Sequence, residues 1–145
     1  MKKNSKGFTI TELLVVLAII SIMLGISVVA YRSFQVKTDI DAVQTTIVQS
    51  LRRAQVLAKV SEGDSDWGVF IQSQSVTIFK GNDYSSRDQQ YDEVYDYSKR
   101  INPSQNYEIA FSKFTGAPQY IGDVILIAQN NTKIVNINNK GLISY

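Results

Sequence analysis

The chain has 145 residues, with 15 basic and 13 acidic side chains, no cysteine and no histidine. Without cysteine there is no disulfide to staple a fold and no thiolate chemistry; without histidine the usual general base and commonest metal ligand are missing. The formal charge of +2 becomes −1 once Lys2, Lys3 and Lys6 are set aside (12 bases against 13 acids), so the basic balance belongs to the N-terminus and gives no argument for nucleic-acid binding.

Met1-Lys2-Lys3-Asn4-Ser5-Lys6-Gly7 is basic and polar, and Phe8-Thr9-Ile10-Thr11-Glu12 leads into an apolar run. From Leu13 to Ala30, 18 residues carry no charge, and only Ser21 and Ser27 bear hydroxyls. That length predicts a membrane-spanning helix, with the three lysines holding its start in the cytoplasm so that the rest is exported. Glu12 is the anomaly. A carboxylate in a bilayer span costs on the order of 2–3 kcal/mol at the centre and less near its end, so it calls for a counter-charge. An ordinary secretory signal peptide with Val28-Val29-Ala30 as cleavage site, or a plain N-terminal anchor, are the bland readings. Against the signal peptide, the run exceeds the usual apolar length and no helix breaker follows Ala30.

The sharper reading cuts between Gly7 and Phe8, which removes all three lysines and leaves an α-amine four residues before Glu12. Positions i and i+4 share a helix face, but a fraying first turn pairs them poorly within one chain. Between staggered neighbours, the amine of one chain reaches the carboxylate of the next, and each neutralises a charge that is costly alone. Glu12 then sets the register of a helical assembly.

Lys6-Gly7-Phe8-Thr9-Ile10-Thr11-Glu12-Leu13-Leu14, followed by the long apolar helix, resembles the class III leader and methylation motif of type IV pilins and pseudopilins. The resemblance implies that a prepilin peptidase cuts after Gly7 and methylates the new N-terminal Phe8, and that Glu12 serves in subunit docking. It further implies membrane lipid as the first environment, then an inner-membrane assembly platform and other pilin or pseudopilin subunits as partners. Many major pilins carry a C-terminal disulfide loop; a chain without cysteine stands nearer the pseudopilins and minor pilins.

Beyond the span, Val36, Ile40, Val43, Ile47, Leu51, Ala54 and Ala58 recur at steps of three and four and form one apolar stripe. Arg32, Lys37, Asp39, Asp41, Gln44, Gln49, Arg52 and Arg53 fall largely off it. One uninterrupted helix from about Phe8 to Val60 is predicted, roughly 80 Å long at 1.5 Å per residue. Its first half is apolar all round and its second is one-sided, suited to receive a sheet. Gly25 reads as close packing against a neighbour, or as a weak point where the helix unwinds on leaving the bilayer. Ser61-Glu62-Gly63-Asp64-Ser65-Asp66 ends the helix, with Gly63 as terminator.

Strands follow. Trp67–Ile71 and Ser75–Lys80 flank Gln72-Ser73-Gln74 as a hairpin, which Gly81-Asn82-Asp83 closes. Tyr84 to Gln90 is a polar loop, and Tyr91, Tyr95 and Tyr97 mark an edge strand. Tyr107, Ile109 and Phe111 alternate with period two. Asp123–Ala128 is a fully apolar run and so a central strand; Asn130-Asn131 turns it back into Lys133–Asn138. Asn139-Lys140-Gly141 turns again, and Leu142–Tyr145 closes the chain.

The expected fold is therefore α+β and pilin-like. The helix of about 8–60 packs on an antiparallel β head, as one sheet or a two-sheet sandwich. The organisation is a leader over 1–7, a membrane and filament-core helix over 8–30, its amphipathic continuation over 31–60, and a head over 61–145. Leu51–Ala58, Trp67-Gly68-Val69, Phe114-Thr115-Gly116 and Ile137–Gly141 are similar to the GspH/FimT-type minor pseudopilins. DNA-binding members of that group use arginines near the C-terminus; this chain ends Gly141-Leu142-Ile143-Ser144-Tyr145, and DNA is not expected among its partners. The expected role is a structural minor subunit of a type II secretion pseudopilus or type IV pilus, with a DNA-binding minor pilin of natural transformation as the alternative. Other clusters read as ordinary surface before they read as sites. Glu62, Asp64 and Asp66 form a solvated turn more readily than a calcium site, and Arg52-Arg53 and Lys99-Arg100 are solvated pairs. The tyrosines 91, 95 and 97 are either a contact surface or packing beneath a loop. No nucleophile motif, catalytic residue, cofactor site or metal site is assigned.

Overall fold

The computed structural model describes residues 7–145, and for residues 26–30, 32 and 33 it describes the backbone alone. The leader lysines lie outside the described residues, as do the side chains of Arg32 and of the alternative cleavage site Val28-Val29-Ala30. The chain divides into two compact units, Met1–Gln35 and Val36–Tyr145.

Helix α1 runs over Ile10–Lys59, 50 residues. Its start is fixed by Thr9, whose hydroxyl accepts a hydrogen bond from the backbone N–H of Glu12 (3.3 Å) while its carbonyl accepts one from Leu13 N–H (3.1 Å). Thr9 is thus an N-cap, and Glu12 stands three residues on, where a carboxylate also favours the positive end of the helix. The predicted start at Phe8 moves to Ile10 for this reason.

Within the second unit, every residue of the predicted stripe is buried, from Val36 and Ile40 through Leu51 to Ala58. The stripe is wider than read from the sequence. Val48, Ser50 and Gln44 are buried too, and Gln44 Nε2 donates to the carbonyl of Ile134 at 3.0 Å. An amide off the apolar register is tolerated there because its donor is satisfied by the sheet.

The helix ends in a left-handed residue, but that residue is Ser61 (φ 54°), whose N–H bonds the carbonyl of Ala58 at 3.1 Å. Gly63, the predicted terminator, takes φ 64° two residues later, inside the short 3-10 turn Glu62–Asp64. An added Cβ at Gly63 would strike the end of the Lys80 side chain.

Eight strands follow: β1 Trp67–Gln72, β2 Ser75–Lys80, β3 Asp88–Asp96, β4 Asn102–Pro103, β5 Tyr107–Phe111, β6 Gly122–Ala128, β7 Asn131–Ile137 and β8 Ile143–Ser144. They form two four-stranded antiparallel sheets, in the orders β3-β2-β1-β5 and β4-β6-β7-β8. Buried side chains from α1 and both sheets make one continuous core, with Ile40, Ile47 and Leu51 meeting Val69, Ile71, Ile78, Ile109, Leu126 and Ile137. The predicted α+β pilin-like layout holds, and of the two head arrangements it is the two-sheet one.

Three local readings change. The loop read over Tyr84–Gln90 already enters β3 at Asp88. The β6–β7 turn is Gln129-Asn130, and its left-handed residue is Gln129 (φ 53°), not an asparagine. β6 is central in its sheet but not buried on both faces: Val124, Leu126 and Ala128 point into the core, while Ile127 is 42% exposed. The short strand β4 carries no periodicity of its own and pairs Asn102 and Pro103 with Ile127 and Leu126.

The remaining strand expectations stand close to their predicted bounds. The first hairpin turns on Ser73-Gln74, Gln74 supplying φ 78°. β3 is an edge strand, and Tyr107, Ile109 and Phe111 are all buried in β5. Tyr97 lies beyond β3 and half-buried, with its hydroxyl donating to the carbonyl of Gln72; burial pushes its phenol up to about 12.

Candidate functional site

The sequence concentrates its functional signal at Gly7, Phe8 and Glu12. Gly7 and Phe8 precede α1 in non-helical backbone, and both are exposed. A Cβ added to Gly7 would meet nothing within 4 Å, so the fold places no steric demand for glycine there. Phe8 is 79% exposed.

Glu12 lies in the first turn of α1 and is exposed. Its backbone is used by the Thr9 cap, but its carboxylate meets no donor among the described residues. Around it Ile10, Leu13, Leu14, Val15, Val16 and Leu17 are each between 42% and 79% exposed. From Phe8 to Ala30 it is the sole charge. Among the described residues the geometry is a single unpaired carboxylate on a helical surface whose large side chains are apolar. The capping role of Thr9 is what sequence reasoning missed, although the Thr-x-x-Glu spacing announces it.

Among the described residues, no helix is long and apolar enough to cross a membrane. The run expected from Leu13 to Ala30 passes, at Ile26, into side chains outside the described set. No described atom lies within 4 Å of where a Gly25 Cβ would stand, so among the described residues the close packing expected of it has no partner.

The secondary clusters of the head are engaged internally. Asp64 accepts from Lys113 Nζ at 2.8 Å, and that hydrogen bond, then the ammonium charge, holds its carboxyl below the usual range. Asp66 accepts from the backbone N–H of Lys113 at 2.6 Å, and the Glu62 carbonyl accepts from Trp67 Nε1 at 2.8 Å. Among the described residues no group of acids is placed to hold a metal ion. Arg53 forks onto Glu93 through Nε (2.9 Å) and Nη2 (2.7 Å). Tyr91 and Tyr95 are both exposed on β3, Tyr91 carrying Lys80 Nζ 4.2 Å above its ring.

Residues 2–28 match the family model described as the prokaryotic N-terminal methylation motif. The chain therefore carries the prepilin-type motif of type IV pilins and pseudopilins, joined to an α+β pilin-like fold. The match covers residues 2–28 of the 145 and concerns the N-terminal motif alone. No match is found among curated proteins or solved structures.

Proposed function

We propose that this chain is a structural minor pseudopilin or pilin subunit. In this reading a prepilin peptidase cuts between Gly7 and Phe8 and methylates the Phe8 amine. The helix over 8–30 holds the subunit in the inner membrane, its N-terminus cytoplasmic and its head exported, with residues 31–60 and 61–145 continuing as stalk and head. An assembly platform then draws the helix out of lipid into a filament, in the periplasm or at the cell surface. The filament is a type II secretion pseudopilus or a type IV pilus.

One observation carries the reading: Glu12 is exposed and, among the described residues, its carboxylate has no donor, on a surface whose other large side chains are apolar. In lipid, or among packed helices, such a carboxylate is costly until a cation meets it. Cleavage at Gly7 would create that cation on each neighbouring chain. The absence of any steric need for glycine at position 7 supports recognition by the peptidase as its purpose. The DNA-binding alternative has less support, because Arg53 is committed to Glu93 and no arginine follows Arg100. A catalytic role finds no histidine or cysteine to draw on.

The test is the mature N-terminus and its assembly. Mass spectrometry of exported protein is expected to find methylated Phe8 first, and Glu12→Ala to keep that terminus while filament incorporation drops. A mature chain beginning at Tyr31 would contradict the cleavage. Unchanged incorporation of Glu12→Ala would contradict the docking role.

A further inference from the structure

The two sheets of the head have four edges, and three are blunted. β4 and β8 are two residues long. The edge of β5 is covered by the segment 117–119, through the bridge of Phe111 with Pro118 and the bond from Gln119 N–H to the Ala110 carbonyl (2.8 Å). The fourth edge, β3, is nine residues long and largely exposed. Tyr97 N–H bonds the Gln74 carbonyl at 2.8 Å, in the register that continues as Val76 opposite Tyr95 and Ile78 opposite Glu93. Antiparallel ladders alternate, so the N–H and C=O groups of Val94 and Asp96 turn away from β2. Among the described residues nothing meets them.

Two hollows lie between this edge and α1, of about 210 and 260 Å³. Ile78, Tyr95 and Gln49 line the first, and Leu57, Trp67 and Tyr91 the second; Arg53 borders both. Side chains on one face of a strand are spaced two residues apart, so an added strand would send alternate residues toward these hollows. The charge on β3 is acidic. Asp92 and Glu93 are answered by Arg87 and Arg53, whereas Asp88 and Asp96, at the two ends, have no ion pair among the described residues.

We propose that the free edge of β3 docks an extended segment of another polypeptide, apolar at alternate residues and basic at its ends, as a fifth strand of the first sheet. Backbone hydrogen bonds to Val94 and Asp96 supply affinity, and the hollows with the terminal acids supply specificity. The acids and the pairing slip between Ile78 and Lys80 discourage indiscriminate strand pairing, so the edge stays open to a complementary partner.

The probe is a nine-residue peptide of alternating valine and threonine with lysine at both ends, titrated into the full-length protein in uncharged detergent micelles. Saturable binding and slowed amide exchange at Val94 and Asp96 are expected. Methylating the backbone nitrogens along one edge of the peptide, or replacing its lysines with glutamates, is expected to weaken binding about tenfold or more, near 1.4 kcal/mol. Val94→Pro, which removes an outward N–H, should act likewise, while Val94→Thr should not. Methylated and unmethylated peptides binding alike, or no binding at millimolar peptide, would overturn the proposal. So would concentration-dependent slowing at Val94 and Asp96 without peptide, which would give the edge to a second copy of this chain.

Discussion

Arg53 and Glu93 show how much a single pair contributes at the seam between helix and sheet. The guanidinium forks onto the carboxylate, and Tyr95 adds a third donor at 3.0 Å. The Arg53 hydrogen bond holds the Glu93 carboxyl below its ordinary range. A depressed carboxyl pKa stabilises the fold above the unfolded value, and that contribution is lost as pH falls through the folded value. The Arg53 side chain is 55% exposed, so solvent screening limits the pair to about 1 kcal/mol or less. Glu93→Gln is therefore expected to lower urea stability by that amount at neutral pH. The gap to the unsubstituted protein should close below the carboxylate range and shrink in high salt. A gap that persists unchanged through acid titration would mean that the pair acts through something other than charge.

At the scale of elements, α1 is two helices in character joined without a break. In its second half the helical spacing decides burial, so side chains on opposite faces have opposite fates. Leu51 is fully buried while Val56 is 56% exposed. Leu51→Ala is expected to cost about 2–5 kcal/mol in chemical denaturation. Val56→Ala is expected to change stability by less than about 0.5 kcal/mol. Comparable losses at both sites would mean that the helix packs on a different face.

That contrast was legible in the sequence because helical periodicity is a local property. So were the hairpin of β1 and β2 and the inward set of β5. What stayed hidden depends on partners distant in sequence. Gln44 is buried because the Ile134 carbonyl reaches it, 90 residues away. β4 exists because β6 lies beside it. Ser61 and Gln129 adopt left-handed backbone although Gly63 stood two residues beyond the first and Asn130 beside the second, so local geometry rather than residue preference chose the position. At the N-terminus the motif residues were legible, and the Thr9 cap was too, in its Thr-x-x-Glu spacing, although sequence reasoning missed it.

For the molecule as a whole, the distribution of apolar surface is the governing fact. Every buried apolar residue described lies between Val36 and Ile143. In the first unit the described large apolar side chains, from Phe8 to Leu24, are at least 42% exposed. Contiguous hydrocarbon of that kind marks an association surface, because water alone leaves its transfer free energy unrealised. The second unit holds a complete core made from the buried face of α1 and both sheets. Residues 36–145 are accordingly expected to fold alone, as a detergent-free monomer with one cooperative transition. Their urea midpoint should match that of the head within full-length protein kept in micelles. The full chain without detergent or lipid should aggregate. Sedimentation and denaturation of the two forms check both outcomes. A fragment that is molten, or markedly less stable than the head in the full chain, would show that the first 35 residues contribute to the core; a full chain that stays monomeric in plain buffer would show that its apolar helix already has cover.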